Sequence, residues 1–369
     1  MDTERLAGLR LSPILKDVGE ASFLSEKYEV PQQDIILTAL NLSGVSSNIP
    51  ESRVRFRFTP EGTKKDFYLA LCVNTTPGTF ELKNQAIFLS GEKIGDISSI
   101  ENDTCNDNYF RRNGTELTLN TNSRSSCKGC AICGTYSLEA DDKERLLRKM
   151  LLSQRVKEIM NQQQQKDCSS LYRVTVCTGC FGNEKATVNH ILDLNDVLKD
   201  LNFHGTLRYI GSEITTEEAL DKIAGKVDRF ALSFSVETFT RREELLRNIK
   251  SRVSFEDIKS ALERSVERGI ETNILYVLGL DPLHAFEEGF KELQPLMNHF
   301  PVVNLFQIYS SEQTLLRTNE ANRIEYYLAA RKILEGMYAG SGLRPESWEN
   351  YRPLWYLSFG KEAKNDIRI

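Results

Sequence analysis

The sequence lacks any long apolar run. Its N-terminal stretch, MDTERLAGLRLSPILKDVGE, carries charges throughout and contains no apolar segment of the length that a signal peptide needs. No window approaches the roughly 20 apolar residues of a membrane-spanning helix. We therefore expect a cytoplasmic protein without a membrane partner.

An excess of positive charge is also absent. The formal net charge of the 369 residues is -5, so the sequence offers no bulk electrostatic attraction for nucleic acid. Hydrophobic residues make up 40% of the chain and charged residues 27%, which is typical of an ordinary globular protein. A chain of this length can form one large domain, or a large domain with a smaller partner.

Cysteine is scarce, but it is clustered. Five of the eight cysteines fall in two tight groups, Cys127, Cys130 and Cys133 in the stretch SCKGCAICGTY, and Cys177 with Cys180. Structural disulfides are rare in the reducing cytoplasm, so clustered cysteines predict a metal site or redox work. The four histidines show no ligand spacing and predict structural or surface roles.

The N-terminal part, residues 1–112, predicts a small β-rich module. Turn signals such as NTTPG and SGEK separate short runs with strand-like alternation of apolar and polar residues. The predicted strands are 54–58, 67–73, 79–82 and 86–89.

From residue 115 the pattern changes to strand, loop and helix, repeated six times. The predicted strands are 116–121, 172–176, 205–209, 229–234, 271–278 and 302–308. The predicted helices are 141–165, 188–201, 216–224, 241–250, 254–268, 286–300 and 320–338. The helix at 254–268 opens with Ser254, a typical N-cap residue. Such alternation predicts parallel strands joined by right-handed crossovers.

We therefore predict an α/β protein whose core is a partial (β/α)6 TIM-like barrel at residues 113–312. The small N-terminal β-rich module precedes the barrel. A helical and aromatic C-terminal extension, residues 313–369, follows it.

The first cysteine group lies in the loop after the first predicted barrel strand. In a β/α barrel this loop belongs to the C-terminal rim, where active sites lie. Three thiolates from one short loop can bind three irons of a [4Fe-4S] cluster and leave the fourth iron open to another ligand. The absence of a fourth cysteine in this loop therefore fits a cluster whose fourth iron is open to another ligand.

These features resemble the radical S-adenosylmethionine (SAM) enzymes. The signature of that family is a cysteine triad after the first strand of a partial (β/α)6 barrel, usually spaced CxxxCxxC, with an apolar or aromatic residue before the third cysteine. Here Cys127, Cys130 and Cys133 form a triad whose first gap is one residue shorter, and Ile132 occupies the apolar position. The resemblance spans roughly residues 113 to 312.

Further positions resemble the SAM-binding elements of the family in the expected order. The stretch TGCFGNE, with Gly179 and Glu184, is similar to the glycine-rich turn whose glutamate receives the SAM amino group. Ser235 and Glu237 match the polar end of the fourth strand, which contacts the SAM ribose and its neighbours. Arg241 and Arg242 follow them, and Arg241 or Arg242 could pair with the SAM carboxylate.

The resemblance implies a [4Fe-4S] cluster and SAM as cofactors, and a 5′-deoxyadenosyl radical that abstracts hydrogen from the substrate. It also implies a reductant protein such as flavodoxin or ferredoxin. No cysteine follows Cys180, so we expect a small-molecule, biosynthetic substrate rather than a peptide or RNA. Cys177, Cys180 and Tyr309 are candidates for a further catalytic role. Cys177 and Cys180 could bind an auxiliary cluster or supply a thiol hydrogen donor.

A structural zinc site is the alternative interpretation. Cys130 with Cys133 and Cys177 with Cys180 also form the paired pattern of a four-cysteine zinc site, in a scaffold or binding protein. That assignment leaves Cys127 without a role and requires two barrel loops to converge.

Ordinary structural roles also remain open for single positions. Glu184 could favour the start of the second barrel helix, where a carboxylate meets the positive end of the helix dipole. Arg241 could lie at a solvated helix start, and Tyr309 could be plain packing. Cys177 and Cys180 could be buried and inert.

Overall fold

A computed structural model of the chain describes residues 13–104, 106–120, 127–136, 144–177, 181–350 and 352–366. Gly179 and Cys180 lie outside the described residues, as does the first part of the helix predicted at 141–165. None of the helices within these ranges combines the length and apolarity that crossing a bilayer requires.

The described chain divides into two compact units. The closed-barrel unit contains residues within 1–103, 277–289 and 303–369, and the sheet unit contains residues within 104–276 and 290–302. The predicted domain boundaries at residues 112 and 312 stay predictions.

The closed-barrel unit begins with two helices that the sequence pattern did not reveal. These are α1 (Val18–Tyr28) and α2 (Gln32–Ser43). The strands that follow are β1 (Val45–Ser46), β2 (Arg53–Pro60), β3 (Phe67–Asn74), β4 (Phe80–Lys83), β5 (Ala86–Leu89) and β6 (Glu92–Asn102). They close a small barrel in the order β1-β3-β2-β6-β5-β4. The predicted β-rich character of this segment is thus present, with β1 and β6 as additional strands.

Alternation along β2 explains the barrel core. Val54, Phe56 and Phe58 are fully buried, whereas Arg57, on the opposite face, is exposed. Close approach of β6 to β2 requires Gly95, because a Cβ atom there would lie 2.4 Å from the Thr59 carbonyl oxygen.

The sheet is formed by the next strands of the chain. These are β7 (Asn108–Arg111), β8 (Glu116–Leu119), β9 (Arg173–Cys177), β10 (Thr206–Gly211), β11 (Phe230–Glu237), β12 (Glu271–Leu278) and β13 (Val302–Leu305). Within the described residues they form one seven-stranded sheet, curled into a half-barrel, in the order β13-β12-β11-β10-β9-β8-β7. Strands β8 to β12 pair in parallel, and β7 forms an antiparallel hairpin with β8. The predicted mixed α/β fold is confirmed, and the partial (β/α)6 TIM-like barrel stays a prediction.

Helices connect the parallel strands. They are α3 (Glu144–Leu147), α4 (Lys149–Gln162), α5 (Glu184–Asp200), α6 (Glu217–Ala224), α7 (Arg242–Leu245), α8 (Phe255–Glu267) and α9 (Leu283–Leu293). The predicted N-cap of α8 is confirmed, because Ser254 and Asp257 form a capping box. The helix predicted at 241–250 is wrong: α7 ends at Leu245, and Asn248 adopts a φ of 57°, which an α-helix excludes.

The C-terminal segment belongs to the closed-barrel unit. It contains α10 (Ile324–Tyr338), β14 (Ser358–Phe359) and β15 (Glu362–Ala363). Arg331 of α10 is buried and donates to the Asp34 carboxylate (2.6 Å) and the Ser358 carbonyl (2.8 Å). This charged centre attaches the aromatic tail to α2 and explains why the tail does not form a separate unit.

Candidate functional site

The carboxyl ends of β8 to β12 gather at one edge of the sheet, because these strands are parallel. Loops at such an edge are the usual location of active sites in α/β folds. The cysteine loop, residues 127–136, approaches this edge at the segment after β11. The backbone N–H of Ala131 donates to the carbonyl of Leu245, at the end of α7, over 2.8 Å.

The cysteine loop has a defined conformation. The N–H of Cys133 donates to the Cys130 carbonyl (3.0 Å), which closes a tight turn, and Ile132 is buried. Gly129 adopts a φ of 71°, and a Cβ atom there would lie 2.7 Å from the Tyr136 ring. Glycine is therefore needed at this position, and the spacing of the thiols depends on it.

The three thiols of the cysteine loop are compatible with the ligand set of a cluster. Cys127, Cys130 and Cys133 are half-buried and free of disulfides. Within the described ranges, no three cysteine sulfurs lie within 4.8 Å of one another, as a shared single ion would require. In a [4Fe-4S] cluster each thiolate binds a different iron, so its ligands need not converge on one point. The donor set and its partial burial therefore fit a cluster.

Basic groups lie close to Cys130. Burial raises the pKa of its thiol to about 11, while the positive charge of Lys250 acts in the opposite direction and favours the thiolate. Arg242 is buried and near enough for the charges of Glu237 and Cys130 to act on its pKa, which burial lowers. Positive charge beside this thiol would stabilise an anionic metal–thiolate group.

Of the two adjacent arginines that the sequence offers, Arg242 is the buried one. Its guanidinium donates to the carbonyls of Val236 and Lys250, so it joins the end of β11 to the following loop. Arg241 instead makes a two-point ion pair with Glu244 at the start of α7 (2.6 and 2.8 Å). The partners of the two side chains thus differ, and the sequence pattern does not show which of the two arginines is buried.

Glu237 occupies a strained position at the end of β11. A β-bulge separates it from Ser235, so the alternation of side chains along the strand is interrupted between these two residues. Its φ of 67° is unusual for a residue other than glycine. The Glu237 side chain is buried and forms an ion pair with Lys250. Backbone strain of this kind costs about 1–3 kcal/mol and is concentrated at functional sites.

Glu184 connects two strand-end loops. It is the first residue of α5, and its carboxylate accepts hydrogen bonds from the N–H groups of Thr215 (2.6 Å) and Thr216 (2.8 Å) and from the Thr216 hydroxyl (2.8 Å). The structure thus gives this carboxylate backbone partners just before α6. Its predicted contact with the SAM amino group stays a prediction.

The inner face of the half-barrel is polar. By strand register, Thr118, Thr175 and Arg208 lie side by side on β8, β9 and β10. Arg208 Nε donates to the Ser233 hydroxyl (2.8 Å), and this hydroxyl in turn bonds Asn273. Branched apolar side chains normally fill this position in barrels. A polar lining therefore indicates a polar occupant.

The Thr175 hydroxyl strengthens that indication. It is fully buried and has no hydrogen-bond partner within the part of the chain that the structure describes. Native structures rarely leave such a group unsatisfied without a ligand, water or function to explain it. Cys177 follows it on the same face of β9, where burial raises the pKa of its thiol and the charges of Arg111, Lys250 and Arg208 oppose that effect.

Tyr309 belongs to the closed-barrel unit. Its hydroxyl donates to Gln307 (2.6 Å) and accepts from Arg352 (2.9 Å). The strand predicted to reach residue 308 ends at Leu305, so Tyr309 does not lie on a strand end. Its predicted catalytic role stays a prediction.

Comparison with known proteins gave structural matches only. No family model and no curated protein sequence matches the chain. A structure of anSMEcpe with bound AdoMet aligns with a TM-score of 0.42 at 15% identity, covering 60% of this chain and 58% of that one. HydG, a maturase of the [FeFe]-hydrogenase, aligns with a TM-score of 0.37 at 14% identity, covering 66% and 51%.

A third match is the radical S-adenosylmethionine methyltransferase TsrM from Kitasatospora setae, with cobalamin and a [4Fe-4S] cluster bound. It aligns with a TM-score of 0.32 at 11% identity, over 43% of this chain and 31% of that one. In all three cases the match spans less than two thirds of the other chain. The case for a function therefore rests on this chain's own residues.

Proposed function

We propose that this chain is a radical SAM enzyme that acts on a small polar molecule. The observation that carries the proposal is the triad Cys127, Cys130 and Cys133: three free, half-buried thiols on one anchored loop beside the strand ends of a parallel half-barrel. When bound, a [4Fe-4S] cluster and SAM together supply a 5′-deoxyadenosyl radical that abstracts hydrogen from the substrate.

The triad holds the cluster in this proposal, and neighbouring charges assist it. Lys250 and Arg242 place positive charge near Cys130, which offsets the negative charge of the thiolates. Ile132 is buried beneath the loop and shields the cluster from water.

SAM lies against the strand ends in this proposal. Ser235 and Glu237, on the two sides of the β11 bulge, contact the ribose and its neighbours, because a bulge redirects side chains towards a bound molecule. Roles of Gly179, Glu184 and Arg241 towards SAM also stay proposals; Glu184 and Arg241 already have protein partners.

The substrate binds against the polar inner face. Thr175, Arg208 and Ser233 offer hydrogen-bonding groups there, and their burial excludes bulk water from the reacting atoms. Cys177 lies on the same face of β9 as Thr175 and is a candidate hydrogen donor. The reductant is a small protein such as flavodoxin or ferredoxin, in the cytoplasm.

The proposal is tested by SAM cleavage without substrate. Reduction of the anaerobically reconstituted protein with dithionite should yield 5′-deoxyadenosine, measured by chromatography, since cleavage requires only the cluster and SAM. A Cys133→Ala variant should yield none, whereas Cys168→Ala, which removes a buried cysteine outside the triad, should retain the reaction. Lack of the product in protein with a verified cluster would contradict the proposal.

A further inference from the structure

Three arginines surround a buried thiol in the closed-barrel unit. We call Arg53, Arg317 and Arg352, with Cys72 and Tyr309, the arginine cluster. Arg53 pairs directly with Cys72 across β2 and β3, and its guanidinium carbon lies 4.5 Å from the centre of the Tyr309 ring. Arg352 donates to the Tyr309 hydroxyl over 2.9 Å. Two of the three guanidinium groups thus contact the same aromatic ring.

Arg317 is the third member of the cluster. Its Nη2 donates to the carbonyls of Leu42 (3.3 Å) and Phe306 (3.1 Å), whereas its Nε is buried and has no hydrogen-bond partner among the described residues. Only 6% of Arg317 is exposed. Burial raises the pKa of the Cys72 thiol to about 12, and the charges of all three arginines oppose this rise, which places them close to it.

The arginine cluster contains more positive than negative charge. The Asp103 carboxylate is shared by Arg53 and Arg55. Neither Arg317 nor Arg352 forms an ion pair with any residue that the structure describes. Arginine does not lose its proton in proteins, so this charge cannot be removed by titration. A buried cation without a counter-charge is unfavourable, and a bound anion would remove the penalty.

One end of the arginine cluster is buried, and the other end is partly exposed. Arg53, Cys72 and Arg317 are buried, whereas Tyr309 and Arg352 are partly exposed. Gln307 holds the Tyr309 hydroxyl (2.6 Å) and is itself fixed by its bond to the Ala70 carbonyl (2.8 Å). The donors are therefore held in place before any ligand arrives, which lowers the entropy lost on binding.

We propose that the arginine cluster binds a phosphate-bearing small molecule through its phosphate group. A phosphate monoester carries about -1.5 to -2 charges and presents three acceptor oxygens in different directions. Several guanidinium groups can share these oxygens and charges, whereas a planar carboxylate with one charge is satisfied by a single arginine. The site lies within one unit, and the inference does not depend on radical chemistry.

Titration of the full-length protein with inorganic phosphate tests the inference. Isothermal titration calorimetry at low salt should detect binding, and phosphate should raise the unfolding temperature of the protein. Arg352→Gln should weaken phosphate binding about tenfold or more, because one charge-assisted hydrogen bond is lost. Arg352 is only partly buried and its side chain bonds Tyr309, so this variant should fold normally.

A matched control separates a specific site from general charge. Arg57→Gln removes one positive charge from the exposed side of the same strand that carries Arg53, and it should leave phosphate binding unchanged. Arg317→Lys keeps the charge but loses Nε, and it should bind phosphate more weakly than the unmodified protein. Absence of phosphate binding by the unmodified protein would overturn the inference, as would equal losses in Arg352→Gln and Arg57→Gln. Neither result bears on SAM cleavage, so the two proposals can fail separately.

Discussion

The Glu237 carboxylate forms an ion pair with the Lys250 ammonium group beside the Cys130 thiol. The pair connects the strained end of β11 to the cysteine loop, and Arg242 joins the same group through its bonds to Val236 and Lys250. A charge change at Glu237 or Lys250 should therefore alter the electrostatic environment of the group that Cys127, Cys130 and Cys133 bind.

Lys250→Gln should lower the reduction potential of the cluster. Removal of a nearby positive charge destabilises the reduced and more negative state, by on the order of 50 mV or about 1 kcal/mol. A redox titration monitored by electron paramagnetic resonance gives the potential directly. The double variant Glu237→Gln/Lys250→Gln restores the net charge and should return the potential towards the original value. Equal potentials in all three proteins would show that the pair does not act on the cluster.

Glu237→Gln should weaken SAM binding by about ten- to a hundredfold, because a hydrogen bond to a charged group is worth roughly 1.5–3 kcal/mol. The iron content should not change, since Glu237 is not a cluster ligand. Equilibrium binding of SAM to the reconstituted protein measures the effect. Glu263→Gln, an exposed change on α8, serves as the control. Unchanged affinity would remove Glu237 from the SAM site.

Glu184→Ala should destabilise the protein by about 1–2 kcal/mol, because two backbone N–H groups before α6 lose their acceptor. Glu184→Gln keeps an acceptor oxygen and should retain most of the stability. Urea unfolding measures both variants, with Glu263→Ala as the control. Separate titration with SAM tests the predicted amino-group contact: a large loss of SAM affinity in Glu184→Gln would show that this carboxylate serves the cofactor as well as α6.

His190 should make the protein less stable in mild acid. It is buried in α5 against Phe181, and burial lowers its pKa to about 4. The unfolded chain takes up the proton near pH 6.5 and the folded chain only near 4, so stability is lost as pH falls between these values. The stability difference between the unmodified protein and His190→Gln should shrink by about 2 kcal/mol from pH 7 to pH 5. Parallel pH profiles of urea unfolding for the two proteins would contradict this assignment.

Much of the sheet unit could be predicted from sequence, because each strand and helix there has its own local signal. Parallel strands such as β11 are buried along their whole length and contain many apolar residues, and caps such as Ser254 mark helix starts. The strand β6 was missed because its exposed half, ending in SSIEN, lacks the apolar alternation that marks a half-buried strand.

The details of the candidate site were harder to predict from the sequence. The bulge before Glu237 arises from the pairing register of β11 with β12, which no local pattern encodes. Arg242 is held by the carbonyls of Val236 and Lys250, which only the folded chain brings to its guanidinium group. The arginine cluster combines β2, β3 and segments more than two hundred residues later, so only the folded chain brings its members together.

The iron and sulfide content after anaerobic reconstitution tests the central claim most directly. The account predicts about four irons and four sulfides per chain, as a [4Fe-4S] cluster requires, and a brown protein that bleaches on reduction. Cys127→Ala, Cys130→Ala and Cys133→Ala should each lose the cluster, whereas Cys168→Ala should keep it. A colourless protein that holds one tightly bound zinc and no iron, or a full cluster in any of the three triad variants, would contradict the account.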